Sequence, residues 1–223
     1  MPLTISQVLN GDQLSLLNGY LDTLDWIDGA KSAGTVAAQV KRNLQADLTS
    51  PIGKKVQRLL TAAVHEHPVL RAAAQPKTFS DILVSKTGPG NGYGLHVDNA
   101  YIRKGAGEMR TDLSFTLFLT SPDEYEGGAL SIEKAGTTQQ FKPDAGDLVL
   151  YPSTHLHEVQ TVTTGNRLVC VGWIESKIRN ESDREIMFDL ENLKANLRET
   201  YEPQSIEMLT VYKIFSNLLR RLS

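Results

Sequence analysis

Between residues 112 and 120 the chain alternates, with apolar Leu113, Phe115, Leu117 and Leu119 separated by Ser114, Thr116 and Phe118. A period of two sends neighbouring side chains to opposite faces, so this stretch reads as a strand with one face on a core. Phe118 indicates that the second face is partly covered as well. Shorter runs at 79–84, 129–133, 138–141, 147–151, 156–162 and 167–174 are divided by Gly127-Gly128, Pro143-Asp144-Ala145-Gly146 and Thr164-Gly165-Asn166. Many short strands with regular turns predict a sandwich or jelly roll.

Helices flank this region. Asn10 and Gln13 make a capping box ahead of Leu14, Leu17, Leu21 and Leu24, which predicts a helix over 11–24, followed by a turn at Asp28-Gly29. Ser50-Pro51 starts a second helix, with Val56, Leu59, Leu60 and Ala63 as its stripe, ended by His67-Pro68. Near the C-terminus, Ser182 with Glu185 caps a helix whose apolar face is Ile186, Leu190, Leu193 and Leu197. Another follows Pro203 with Met208, Leu209, Tyr212, Phe215 and Leu219, and both are expected to brace a sheet. The fold class is therefore mainly β with flanking helices. In one domain of 223 residues, 1–78 is a helical region packed on the core, 79–178 the jelly-roll core and 179–223 the C-terminal helices.

A net charge of −3 gives no bulk attraction to nucleic acid or to an anionic membrane. The single cysteine, Cys170, lies in an apolar run and forms no intrachain disulfide, which fits a reducing cytoplasm. No basic segment leads into a long apolar stretch, and no window approaches a membrane span, so a soluble, unprocessed chain is expected. The apolar C-terminal helices offer a surface for pairing with a second copy as a homo-oligomer.

His96-Val97-Asp98 follows a glycine-rich bend and precedes the alternating strand. In an extended chain residues i and i+2 share a face, so His96 and Asp98 converge on one ion while Val97 packs behind them. A third ligand is expected from a strand that returns much later, where His155 and His157 share a face. His157 is the better aimed, because it begins the 156–162 run; His155 follows the turn-like Tyr151-Pro152-Ser153-Thr154 and is expected on the polar rim. Two imidazoles and one carboxylate on one face of an Fe(II) ion leave the opposite positions open, as oxygen chemistry requires.

Arg167 opens the last apolar run. With 168–174 reading as buried, its guanidinium is expected to point into the barrel at an anion, and its planar fork suits a dicarboxylic acid. The glycine-rich stretch 88–94 lacks a helix start or a Lys-Ser/Thr pair, so it reads as a mobile loop beside the site and not as a phosphate cradle. Residues 99–110, with Arg103, Lys104, Gly105, Gly107 and Arg110, are expected to form a loop at the pocket mouth that binds or covers substrate. Two other classes fit the same ligands: a non-catalytic iron/2-oxoglutarate sensor and a cupin-like zinc hydrolase, of which Arg167 argues against the second.

At these residues the chain resembles the bacterial PKHD-type hydroxylases of the Fe(II)- and 2-oxoglutarate-dependent dioxygenase superfamily, relatives of prolyl and lysyl hydroxylases. The resemblance covers nearly the whole chain: Trp26-Ile27-Asp28-Gly29, Gln39-Val40-Lys41 with Asn43, Tyr93-Gly94-Leu95-His96-Val97-Asp98, Met109-Arg110-Thr111-Asp112-Leu113-Ser114, Gly127-Gly128, Ala145-Gly146-Asp147-Leu148-Val149-Leu150-Tyr151-Pro152-Ser153, Trp173-Ile174 and the C-terminal helices. It implies a double-stranded β-helix, with His96, Asp98 and His157 as iron ligands and Arg167 as the 2-oxoglutarate anchor. It further implies Fe(II) and 2-oxoglutarate as cofactor and cosubstrate, and L-ascorbate (vitamin C) as a candidate reductant. Dioxygen and an unidentified peptidyl or small-molecule substrate are the implied partners. The implied reaction is hydroxylation of a C–H bond with 2-oxoglutarate decarboxylated to succinate, in association with iron uptake. Where related proteins carry an Asn-Arg-Tyr segment this chain has Val84-Ser85-Lys86-Thr87, which leaves Lys86 and Tyr93 as alternative second contacts to the cosubstrate.

Overall fold

The computed structural model describes residues 2–29 and 40–223; Gln39 lies outside them. In chain order the strands are β1 (Leu3–Ile5), β2 (Trp26–Asp28), β3 (Leu44–Ala46), β4 (Pro76–Phe79), β5 (Leu83–Thr87), β6 (Tyr93–His96), β7 (Tyr101–Lys104), β8 (Gly107–Arg110), β9 (Leu113–Phe118), β10 (Tyr125–Gly127), β11 (Leu130–Lys134), β12 (Thr137–Phe141), β13 (Leu148–Pro152), β14 (His157–Val159), β15 (Val162–Gly165) and β16 (Arg167–Ser176). The helices are α1 (Gly11–Leu21), α2 (Pro51–Glu66), α3 (Pro68–Ala74), α4 (Glu181–Leu197) and α5 (Ile206–Leu222).

The period of two in β9, β13 and β16 builds the fold. Eight antiparallel strands form a large sheet in the order β1-β13-β9-β16-β5-β3-β2, with β4 paired to the far end of β16. Its outer face carries Phe115 and Leu117 of β9, Leu148 and Leu150 of β13, and Cys170 and Ile174 of β16. These pack with Leu17 and Leu21 of α1, Val56, Leu60 and Val64 of α2, and Leu70 of α3. Its inner face carries Phe118, Val149, Tyr151 and Val169, which meet Leu130 and Ile132 from a smaller antiparallel sheet ordered β12-β11-β14-β6. The result is the predicted jelly roll, closed at one side by the pair β10–β15 and bearing the separate hairpin β7–β8.

Local chemistry sets the helix ends. The Asn10 capping box forms as expected, and the Ser50 hydroxyl accepts from the Gly53 amide at 3.0 Å. His67 breaks α2 with an extended backbone, but Pro68 then starts α3 at once, because a proline is well placed at a first helical position.

Several expectations change. The N-terminal region is not purely helical, since β1, β2 and β3 extend the large sheet. The run 79–84 divides into β4 and β5, where Ser80 leaves the ladder: its backbone amide donates to the Trp173 carbonyl and its hydroxyl accepts from the Trp173 amide, each at 2.9 Å. The run 156–162 also divides, because β14 pairs with β11 and β6 whereas the following chain pairs with β10. Residues 99–110 contain a hairpin where a loop was expected.

In α4 the cap is Asn180, whose side chain accepts from the amides of Ser182 and Asp183. The expected Ser182 cap falls inside the helix. The buried face of α4 is Arg184, Met187 and Lys194, while Ile186 and Leu193 are exposed. The physical reason is polar. Arg184 donates to the carbonyls of Ile178 and Arg179 at 2.8 and 2.7 Å, and Lys194 pairs with Glu191 while its ammonium sits 3.9 Å from the Phe215 ring centre. Long stems cover apolar surface while their charged heads find partners, so charge does not exclude them from an inner face.

Candidate metal and cosubstrate site

Between the two sheets lies a cavity of about 460 Å³, and the inward positions of both sheets furnish its lining. From the large sheet come Ser85 and Thr87 of β5, Ser114 and Thr116 of β9, Tyr151 of β13, and Arg167, Val169, Val171 and Trp173 of β16. The smaller sheet adds Tyr93 and His96 of β6, Leu130 of β11, and His157 and Val159 of β14.

His96 and His157 are direct partners across the β6–β14 ladder, and their rings lie 4.3 Å apart between centroids. Each uses Nδ1 against a carbonyl two residues earlier in the chain, His96 to Gly94 at 2.8 Å and His157 to His155 at 3.0 Å. Donation from Nδ1 fixes the tautomer and leaves the Nε2 lone pair for a metal. Asp98, just past the end of β6, brings Oδ2 to 3.8 Å from His157 Nε2. One ligating atom from each of His96, Asp98 and His157 lies within 4.8 Å of the others. No other group of three or more such side chains is close enough to hold an ion among the described residues.

Burial, reinforced by the neighbouring His157, pulls the His96 pKa down to about 4, so the ring is neutral and ready to ligate at neutral pH. The Ser114 hydroxyl donates to Asp98 Oδ2 at 2.5 Å and is itself 2.7 Å from the Ser153 hydroxyl. That pair orients the carboxylate from behind. Neither serine's role is legible in the sequence, because it depends on β9 and the turn after β13 meeting beside Asp98.

Val97 does not pack behind its neighbours; it is half exposed and lines the cavity. His155 contributes its carbonyl to His157, while its ring stands outside both the cavity lining and the ligand cluster.

Arg167 is 2% exposed, yet among the described residues its Nε and Nη2 have no hydrogen-bond partner. Its guanidinium carbon rests 5.1 Å from the centre of the Phe118 ring. The hydroxyl of Tyr125 is buried beside the guanidinium, near enough to interact with it but outside hydrogen-bond geometry. Burial lowers the Arg167 pKa, opposed by the phenols of Tyr125 and Tyr151. Burial raises the Tyr151 pKa, and its phenol senses both Asp98 and Arg167, which ties the two ends of the cavity together. A buried guanidinium with open donors is a seat prepared for an anion. Gly128 makes room for it: its φ is +65°, and a Cβ there would come within 3.1 Å of Arg167 Cδ and 3.0 Å of the Tyr125 ring.

The two alternatives for a second cosubstrate contact separate cleanly. Lys86 lies on the outer face of β5, its ammonium 5.4 Å from the Trp26 ring centre and away from the cavity. Tyr93 is inside, stacked on His96 with centroids 3.7 Å apart, and burial beside Asp98 pushes its pKa up to about 12. Lys41 also lines the cavity, 5.6 Å from the centre of the Tyr93 ring, with its pKa lowered by burial and supported by Asp98.

The donor set and the open guanidinium fit ferrous iron and a diacid. The family model described as the 2OG-Fe(II) oxygenase superfamily matches residues 82–175. A PKHD-type hydroxylase of Hyphomonas neptunium is 48% identical over 218 residues, covering 98% of this chain and 97% of the relative. One from Synechococcus elongatus is 44% identical over the full length of both chains. Among solved structures, a Trichoplax adhaerens prolyl hydroxylase in complex with a hypoxia inducible factor peptide fragment has a TM-score of 0.58 at 17% identity, over 83% of this chain and 86% of that one. A Pseudomonas putida prolyl-4-hydroxylase has a TM-score of 0.51 at 19% identity, over 78% and 92%. These structures share the jelly-roll fold; the full-length relatives carry the assignment, and the chain belongs to the PKHD-type hydroxylases of the 2OG-Fe(II) oxygenase superfamily.

Proposed function

We propose that His96, Asp98 and His157 hold the ferrous ion, and that Arg167 holds the remote carboxylate of 2-oxoglutarate, in an enzyme that hydroxylates a C–H bond. The observation that carries this reading is the Arg167 guanidinium, buried with two nitrogens open, in the same cavity as the converging imidazoles and carboxylate. A bidentate, charge-assisted contact to a carboxylate would satisfy both nitrogens at once.

The chain's own groups bind and aim. The two Nδ1 donations hold both imidazoles neutral with Nε2 presented to the ion. Ser114 occupies one lone pair of Asp98, which keeps the carboxylate from rotating. Arg167 fixes the far end of the cosubstrate and thereby the direction from which its keto acid approaches the ion. The two sheets screen the site from water. When bound, iron and 2-oxoglutarate supply the oxidation: one atom of dioxygen enters the substrate C–H bond, the other enters succinate, and carbon dioxide leaves.

A prolyl or other peptidyl position, as in the names of the solved neighbours, and a small molecule are both suitable substrates for this chemistry. The same reading places the enzyme in the reducing cytoplasm, supported by its one buried cysteine. No helix among the described residues is long and apolar enough to cross a membrane.

The test is anaerobic addition of Fe(II) and 2-oxoglutarate while watching for their visible charge-transfer band, followed by oxygen and a succinate assay. A band with oxygen-dependent succinate supports the enzyme. A band without turnover supports the sensor, and no band overturns the site.

A further inference from the structure

The charge of the cavity lining identifies the substrate more narrowly. Among the described residues that line the cavity Asp98 is the only acid, whereas Lys41, Arg103 and Arg167 carry basic side chains. Composition does not explain this, because the chain has 26 acidic residues against 23 Lys and Arg. Residues 30–39 contain no acid, so none is added from there. The charges of ferrous iron and Arg167 are matched by Asp98 and the dianionic cosubstrate, which leaves Arg103 outside that balance.

Arg103 stands at the mouth, on β7. Among the described residues its side chain makes no ion pair or hydrogen bond, although Glu108 lies opposite it in the β7–β8 register. Its neighbour Lys104 is instead held by Asp81 at 2.7 Å. Arg103 shares the cavity lining with apolar Val97, Tyr101, Ile102 and Trp173 and with polar Asn99. Val97 and Tyr101 are 50% and 53% exposed, so both offer apolar surface to a bound molecule. Val97 lines the same cavity as the residues assigned to iron, so a body resting on it would share that cavity with the ion.

Resting on the iron and cosubstrate assignment above, we propose that the substrate is a small carboxylic acid, free amino acids included. Its carboxylate docks on Arg103, and its aliphatic body lies on Val97, Ile102 and Trp173. A guanidinium at the mouth favours an anion there and disfavours a cation.

The test uses the full chain loaded with Mn(II) in place of iron and saturated with 2-oxoglutarate, so that Arg167 is occupied. Matched N-acetyl amino acids and N-acetyl amino amides are titrated by calorimetry, and paramagnetic broadening of their protons reports proximity to the ion. Peptides with free and amidated C-termini form a second arm. Acids are expected to bind about tenfold or more tightly than their amides, a difference of about 1.4 kcal/mol. That preference is expected to vanish in Arg103→Ala and return in Arg103→Lys, with broadening strongest at aliphatic carbons.

Equal binding of acid and amide, a preference that survives Arg103→Ala, binding confined to the peptides, or no acid binding at millimolar concentration would each overturn the proposal. Affinity for 2-oxoglutarate is titrated separately. If the wild type fails there, the underlying assignment of the cavity falls first.

Discussion

At the scale of single residues, Arg167 makes the sharpest claim. Taking one partner from a buried ion pair costs about 3–5 kcal/mol, so Arg167→Ala should weaken 2-oxoglutarate binding on the order of a hundredfold or more. Metal affinity should be largely kept, because Arg167 touches none of the three ligand side chains in the cluster. Titration of the Mn(II) protein with 2-oxoglutarate measures both, and an unchanged affinity refutes the role. Gly128→Ala should act on the same seat from behind. A non-glycine residue at φ +65° costs about 1–3 kcal/mol, and the new methyl would press on Arg167 and Tyr125, so both stability and cosubstrate affinity should fall. His96 and Asp98 could be singled out from sequence because a period of two puts them on one face, His157 because it begins a strand run, and Arg167 because it opens an apolar one. Ser114, Ser153, Tyr125, Tyr151 and Lys41 could not be given roles, since each depends on which strand lies beside it.

At the scale of elements, the hairpin β7–β8 carries the mouth of the cavity and is tied down at two points of unequal strength. Its tip is held by Lys104 and Asp81, with 77% of the Asp81 side chain exposed, and such a pair contributes about 0–1 kcal/mol. Its base is held by Asp112, which accepts from Arg110 Nε and Nη2 at 2.6 and 2.8 Å and from the Ser176 amide at 2.8 Å. Arg110 also donates to the Ser176 carbonyl at 3.0 Å, so the end of β8 is locked to the end of β16. Asp112→Ala leaves the Ser176 amide unsatisfied and takes the bidentate partner from Arg110, which keeps the Ser176 carbonyl and Glu175 at 3.6 Å. The expected loss of about 2–4 kcal/mol lowers Tm by roughly 4–16 °C in a chain of this size, whereas Asp81→Ala should move it by a few degrees at most. Equal shifts in thermal melts would refute the ranking. Sequence predicted a loop at the pocket mouth here. In the structure Gly105 supplies the positive φ of the turn, and the flanking residues pair. The α4 face misled in the opposite sense: an apolar stripe was visible, but carbonyls needing donors decided which side turned inward.

At the scale of the whole molecule, the histidines link folding to pH and to the ion. His65, His67, His96 and His155, four of the five, have pKa values lowered mainly by burial. A histidine depressed in the folded state binds fewer protons there than in the unfolded chain, where its pKa is near 6.5. Stability therefore rises with pH wherever the unfolded chain holds the extra protons, and these groups contribute fully only above about 6.5. For His96 the loss continues down to about pH 4, below which both states are protonated and the dependence flattens. The metal-free protein should thus lose Tm steadily on acidification from pH 7 towards 4. Saturating Mn(II) binds the folded state and should raise Tm at pH 7, with a benefit that shrinks as pH falls, because protons and the metal compete for the same Nε2 lone pairs. His96→Gln removes one of those lone pairs together with the most strongly shifted group, so it should flatten the metal-free profile and abolish most of the metal's benefit in the same variant. Differential scanning calorimetry across that range with and without Mn(II) decides the matter: a metal benefit independent of pH would mean that the ion is held by groups other than these imidazoles.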